Sequence, residues 1–292
     1  MTPQESQAAS RIAALMRAAR KKRDLTQVEV AKRLQISQSA LSKIESGLLI
    51  PSAPQWFEFC QLTDISADSL LTGFMERVSS AVVESGDLNV GFKIPKIYRP
   101  YRGSKMRAML PFLKYFHAVA GEEKVEEYFR AIKMDQDAFL DLDGQINIRF
   151  CLDLSRTLIQ NGLLKPTDFS KMTASVSHSE THGRLHRMYD GQTNPLVLMQ
   201  VLLQNSRQYE CNFHYQVEDQ NEKQLAFSVK PEEHLAEFDY KNDPVLGDFL
   251  CQFKKHYFES FTHYGNSRGA TLHERQCHYK GADSCIYELK LA

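Results

Sequence analysis

The chain lacks what a membrane-spanning or secreted protein would show. No apolar run approaches the roughly eighteen residues of a spanning helix. The start, MTPQESQAAS, has no basic stretch followed by an apolar one, so no export signal is read and a cytoplasmic protein is expected. An excess of charge is missing too: 36 Lys and Arg stand against 36 Asp and Glu. A wide nucleic-acid footprint brings surplus base, so any such footprint here must be local. In a reducing compartment the six cysteines are not a disulfide framework. There is no internal repeat, no low-complexity tract, no glycine-rich phosphate loop and no Gly-x-Ser-x-Gly elbow. No Ser-Lys self-cleaving layout stands out either, and no enzyme is expected.

What is present begins with LTQVEVAKRLQISQSALSKIESG, residues 25–47. Thr26 and Glu29 have the spacing of a capping box, which satisfies two of the orphan N–H groups at a helix start. Val30, Ala31 and Leu34 then line one helical face. Ile36 fills a turn, and Ser37 can cap a second helix whose inner face is Leu41 and Ile44. The outer face, Gln38, Ser39, Ser42 and Lys43, is polar and free of acids until Glu45. Amides, hydroxyls and one cation suit the edges of bases in a major groove.

This stretch resembles the Cro/lambda-repressor type of helix-turn-helix, also called the xenobiotic-response-element family. The matching residues are Leu25-Thr26-Gln27, Ala31, Leu34, Ile36-Ser37-Gln38, Leu41-Ser42, Ile44-Glu45, Gly47 and Pro51. The resemblance covers about the first quarter of the chain. It implies that Gln38, Ser39 and Lys43 read bases in double-stranded DNA, that Gln27 and Ser37 hold phosphates, and that Arg20 pairs with Glu45. One departure is Gln35, where the family usually has Gly; Gln there implies modest backbone strain. The alternative is a helical bundle that binds protein and not DNA.

With 292 residues, two domains are expected. Residues 1–10 read as a disordered polar tail. Residues 11–73 form an all-α helix-turn-helix domain of five helices, with Trp56 in its core. A basic cluster, Arg17, Arg20, Lys21, Lys22 and Arg23, precedes the reading unit. Residues 74–105 combine a helix, with Phe74, Val78 and Ala81 or Val82 on one side, and a basic linker. In that linker Lys93, Lys96, Arg99 and Arg102 would be solvated or touch phosphates. Residues 106–292 read as an α+β sensor domain with an antiparallel sheet. Helices are expected around 110, 125, 146–164, 195–203 and 248–261. Strands are expected at 209–217, 224–229, 271–279 and 285–291.

Two constellations in this second domain bear on chemistry. His178, His182 and His186 recur every four residues, as metal ligands on one helical face would, but Gly183 and the many hydroxyl residues favour a loop. The other is LHERQCHYKGADSCIYEL, in which Glu274, Cys277 and Cys285 cluster and Cys251, on the preceding helix, can add a fourth ligand. Thiolates with a carboxylate suit a closed, structural zinc site. The geometric objection is that residues three apart on a regular strand face opposite ways, so Glu274 and Cys277 share a metal only if the strand bulges. His273 or His278 would otherwise replace Glu274.

The pattern Glu-x-x-Cys, seven residues, Cys resembles the vinyl-reductase-type small-molecule-binding domain, also found in activators that sense phenols. The likeness is clear over Phe238 to Leu291. It implies zinc on Cys251, Glu274, Cys277 and Cys285, and a small, largely apolar ligand. Phe213, Tyr215 and Phe227 would line the pocket or pack the core. The expected protein is a homodimeric transcriptional regulator that senses such a ligand. The alternative is a C-terminal interaction or dimerisation module in which zinc is only a staple; an enzyme of the vinyl-reductase kind is more distant.

Overall fold

A computed structural model describes residues 3–76, 78, 91–99, 103–238 and 242–291. The chain forms two compact units, Met1–Pro95 with Phe129–Gln145, and Lys96–Tyr128 with Ile146–Ala292. It is multidomain: a helical unit first, then helices with an antiparallel sheet.

The first unit contains α1 (Pro3–Lys22), α2 (Gln27–Arg33), α3 (Gln38–Glu45), α4 (Ala53–Thr63) and α5 (Ser69–Thr72). Residues 1–10, expected as a tail, are helical from Pro3. The reason is burial: Ala9, Ile12, Ala13 and Met16 share one face and are covered, so the helix has a seam to dock. Leu15, Leu41, Ile44 and Phe59 form the centre, and Trp56 stacks on Phe59 with ring centroids 6.0 Å apart. Gly73 ends α5 at φ 78, a left-handed turn that costs glycine little. The helix expected over 74–84 is absent at Phe74, Met75 and Glu76. There the backbone bonds elsewhere: Met75 N–H donates to Leu140 O at 2.6 Å. Ala81, Val82 and Arg102 lie outside the described residues.

The sequence sets the domain division near residue 105. The chain instead assigns Phe129–Gln145 to the first unit. Phe129 and Phe139 are buried together there, edge to face at 5.7 Å, and Asp135, Asp137 and Asp141 meet the bases of α1.

The second unit holds α6 (Leu110–Ala120) and the start of α7 (Glu122–Ala131), which ends in the first unit. It continues with α8 (Arg149–Gln160), α9 (Phe169–Thr173), α10 (Pro195–Gln204) and α11 (Phe249–Phe261). The short strands β1 (Ser104–Lys105) and β2 (Gln145–Ile146) precede β3 (Phe213–Gln220), β4 (Gln224–Pro231), β5 (Thr271–Gln276) and β6 (Cys285–Lys290). The four longer strands form one antiparallel sheet in the order β3-β4-β6-β5, so the last strand lies inside it. Tyr215, Phe227 and Tyr287 share the face that receives Phe258 of α11, at centroid distances of 6.3, 5.1 and 5.4 Å. This face fixes α11, and α11 carries both chemical sites of the unit.

Gln35 sits at φ 54, as its place in the turn requires. An L side chain pays about 1 kcal/mol for that conformation. Gln35→Gly is expected to raise the stability of the first unit by up to about 1 kcal/mol. A urea titration followed by Trp56 fluorescence reads it, and a fall in the midpoint would contradict the strain argument.

Candidate functional site

The α2–α3 pair is held by local bonds. Thr26 Oγ1 accepts from Glu29 N–H at 3.2 Å, and Glu29 Oε2 accepts from Thr26 N–H at 2.7 Å. Ser37 Oγ accepts from Ala40 N–H at 3.1 Å and starts α3. Leu41 and Ile44 are buried, which turns Gln38, Ser39 and Lys43 out to solvent and leaves Ser42 half-buried. Glu45 is buried, and Arg20 grips it through Nε at 2.6 Å and Nη2 at 2.9 Å. Gln27 Nε2 donates to the same carboxylate at 2.9 Å, and Gln38 Nε2 donates to Gln27 Oε1 at 2.6 Å. A line of bonds thus runs from Arg20 through Glu45 and Gln27 to Gln38, and fixes the first side chain of the outer face. Residues 16–70 match the helix-turn-helix family model. The first unit is therefore a DNA-binding helix-turn-helix of the kind found in transcriptional regulators.

The basic cluster ahead of this helix-turn-helix is not a free phosphate patch. Arg17 pairs with Asp137 at 2.9 Å, Lys21 with Asp135 at 3.7 Å, Lys22 with Asp141 at 3.1 Å and Arg23 with Asp64 at 3.0 Å. Arg20 is on Glu45. Sequence proximity suggested a common surface, but each base has its own acid.

In the second unit, Cys251, Cys277 and Cys285 converge: their sulfurs lie within 4.8 Å of one another, and Cys251 to Cys285 is 3.8 Å. Cys277 and Cys285 are buried and Cys251 is half-buried. The strand does bulge where the objection required it. Glu274 faces Tyr287, then the register shifts so that Gln276 faces Ile286. The extra residue lets Cys277 follow onto the side of Cys285 and Glu274 despite the three-residue spacing. Glu274 stays outside the 4.8 Å group, yet its Oε1 is buried without a hydrogen-bond partner, as an oxygen kept for a cation would be. His273 is exposed, and His278, whose Nδ1 donates to Ala282 O at 2.7 Å, is not among the groups that converge with the sulfurs. The S–H of Cys251 draws the Cys285 thiol down toward the thiolate against the cost of burial, helped by the His278 backbone N–H at 3.3 Å. Cys251 keeps its proton because that bond holds it.

The same helix lines a cavity of about 80 Å³ with Leu250, Phe253, Lys254 and Tyr257. Phe213 and Tyr215 line it as the sequence allowed; Phe227 does not, and is fully buried between Phe258 and Tyr287. Sequence reading missed Lys254 and Glu210 at this site. A lysine in the apolar face Leu250, Lys254, Phe258 was the available signal.

The three histidines do not converge; the segment is a run of 3-10 turns. His182 is fully buried, accepting from Tyr209 Oη at Nδ1 (2.8 Å) and donating from Nε2 to Val176 O (2.6 Å). Both ring nitrogens are used, which leaves no lone pair for a metal.

Comparison with solved structures finds the Fe(II) unliganded H-NOX protein from K. algicida at 12% identity and TM-score 0.45, with 64% of this chain and 95% of that one covered. A mutant of that protein gives TM-score 0.46 over the same shares. Likeness at this level carries no functional argument. No curated protein matches the chain.

Burial pushes His182 down to about 4, from an ordinary value near 6.5. The folded state holds the ring neutral, so its contribution is complete above about pH 6.5 and is lost as pH falls toward 4. The second unit is expected to lose about 3 kcal/mol over that window from this group. Urea titrations by near-ultraviolet circular dichroism would show a steeper acid loss in the wild type than in His182→Gln; equal slopes would refute it.

Proposed function

We propose that the protein is a sequence-specific, DNA-binding transcriptional regulator whose second unit senses a small, largely apolar ligand. The observation that carries the DNA half is the outward face of α3, with Gln38 held by Gln27 and Glu45. In this reading Gln38, Ser39, Ser42 and Lys43 meet base edges, and Gln27 and Ser37 meet phosphates. A two-fold operator needs two reading helices about one helical turn apart, so the working form is a homodimer. The sensing half rests on the cavity beside α11 and on the resemblance of the Cys251, Glu274, Cys277, Cys285 spacing to the vinyl-reductase-type domain. The reading assigns the chain no catalytic step. Ligand binding would bias an equilibrium between two arrangements of paired DNA units.

Zinc belongs to this proposal. Three clustered sulfurs and the unpartnered Glu274 oxygen fit a closed four-ligand set. The metal would act as a staple, tying β5 and β6 to α11, with no position left for water or substrate. Metal held by a site absent from the unfolded chain adds to folding stability. Elemental analysis of protein never exposed to chelator is expected to give about one zinc per chain. Cys277→Ser should lose it and loosen the second unit while the helix-turn-helix stays folded. Metal-free wild type would leave the cysteines as core fillers.

The DNA reading is tested by Gln38→Ala. It is expected to cost about 1–3 kcal/mol on the specific operator and little on random DNA. Equal loss on both would remove Gln38 from base reading.

A further inference from the structure

The cavity of the second unit is apolar except at one end. There Lys254 Nζ donates to Glu210 Oε1 at 3.0 Å and to Tyr215 Oη at 2.7 Å, and the Tyr215 O–H donates to the same carboxylate oxygen. The ammonium lies 3.4 Å over the Phe213 ring. Its three N–H groups therefore go to a carboxylate, a phenol oxygen and an aromatic face. Both bonds on Glu210 fall on Oε1, and Oε2 makes none among the described residues. Tyr257 also lines the cavity, and its hydroxyl makes no hydrogen bond among the described residues.

Charge decides what fits. Lys254 is 8% exposed and its pair with Glu210 is neutral overall. An anion entering beside it would leave one negative charge without compensation in a poorly solvated space, and a cation would leave one positive. A purely apolar guest would strip water from Glu210 Oε2 and Tyr257 Oη and replace it with nothing. A neutral guest with one O–H or N–H donor avoids both penalties. Size narrows the class further: 80 Å³ is about half of the roughly 150 Å³ that accepts a benzene.

We propose that this cavity binds a small neutral molecule with an apolar body of about two or three carbons and one O–H or N–H group, received by the Glu210 carboxylate. Lys254 and Tyr215 are positioning residues that hold the carboxylate turned. The proposal deepens the ligand-sensing reading above and rests on it.

The test is a ligand-detected NMR titration of the full-length protein with four small probes of similar shape: propan-2-ol, 2-methylpropane, isopropylammonium and 2-methylpropanoate. Propan-2-ol is expected to bind at least about tenfold tighter than each of the others, the worth of one well-made bond to a charged partner. Glu210→Gln removes the negative charge and should turn the preference to the carboxylate; Lys254→Met should turn it to the ammonium. Should either variant fail to fold, the wild-type ranking decides alone. A charged probe, or 2-methylpropane, matching propan-2-ol would overturn the charge rule and leave the cavity a ligand site. Binding by none of the four would overturn both the rule and the ligand-sensing reading.

Discussion

The ion pairs between α1 and the segment Phe129–Gln145 set the organisation of this chain. Lys22 and Asp141 are the most buried, with side chains 11% and 0% exposed. A charge so placed is stable only with its partner, and losing one member leaves the other stranded, at a cost of about 3–5 kcal/mol. The two outer pairs, Arg17–Asp137 and Lys21–Asp135, are more exposed and contribute less. Together with the Phe129–Phe139 contact they make a segment from the middle of the chain part of the helix-turn-helix unit. The backbone thereby passes between the units at residues 95–96, 128–129 and 145–146.

Inside the second unit, α11 plays the corresponding part. Cys251 and Lys254 lie three residues apart, on neighbouring positions of one helical surface. One serves the sulfur cluster and the other the cavity. A smaller void of about 10 Å³, lined by Leu250, Cys251, Lys254, His278 and Cys285, lies between them. Phe258, one turn beyond Lys254, keys the helix into the aromatic face of the sheet. The cavity and the sulfur cluster therefore share one helix.

The helix-turn-helix was legible because its signals are local. Thr26-x-x-Glu29, Ser37 and the apolar spacing each act within one or two turns, and each reappears as a bond or a buried side chain. The strain at Gln35 and the Arg20–Glu45 pair were legible for the same reason once the motif was placed. The sulfur cluster was readable in part. Spacing brought out the cysteines, but the bulge after Glu274 is a property of pairing with β6 and leaves no mark in the residues themselves. The role of Asp135, Asp137 and Asp141 was invisible: acids in a loop look solvated until a partner more than a hundred residues away is known. Glu210 was hidden likewise, 44 residues from Lys254.

The same pairs explain why a chain with no net charge can still read DNA, and what that reading must rely on. All five bases of the cluster before α2 are committed to acids. Among the described residues of α2 and α3, Lys32 and Lys43 are exposed and carry no ion pair, while Arg33 is held by Glu58 at 2.7 Å. Few free cations release few counterions, so α2 and α3 themselves gain little from the sequence-independent attraction to phosphates. Discrimination then depends on the positioned amides and hydroxyls of α3, whose bonds each contribute only modestly. A single unit built this way would bind weakly. Joining two units makes the second contact intramolecular and multiplies affinity without adding charge, which is why this economy of base favours the dimeric reading.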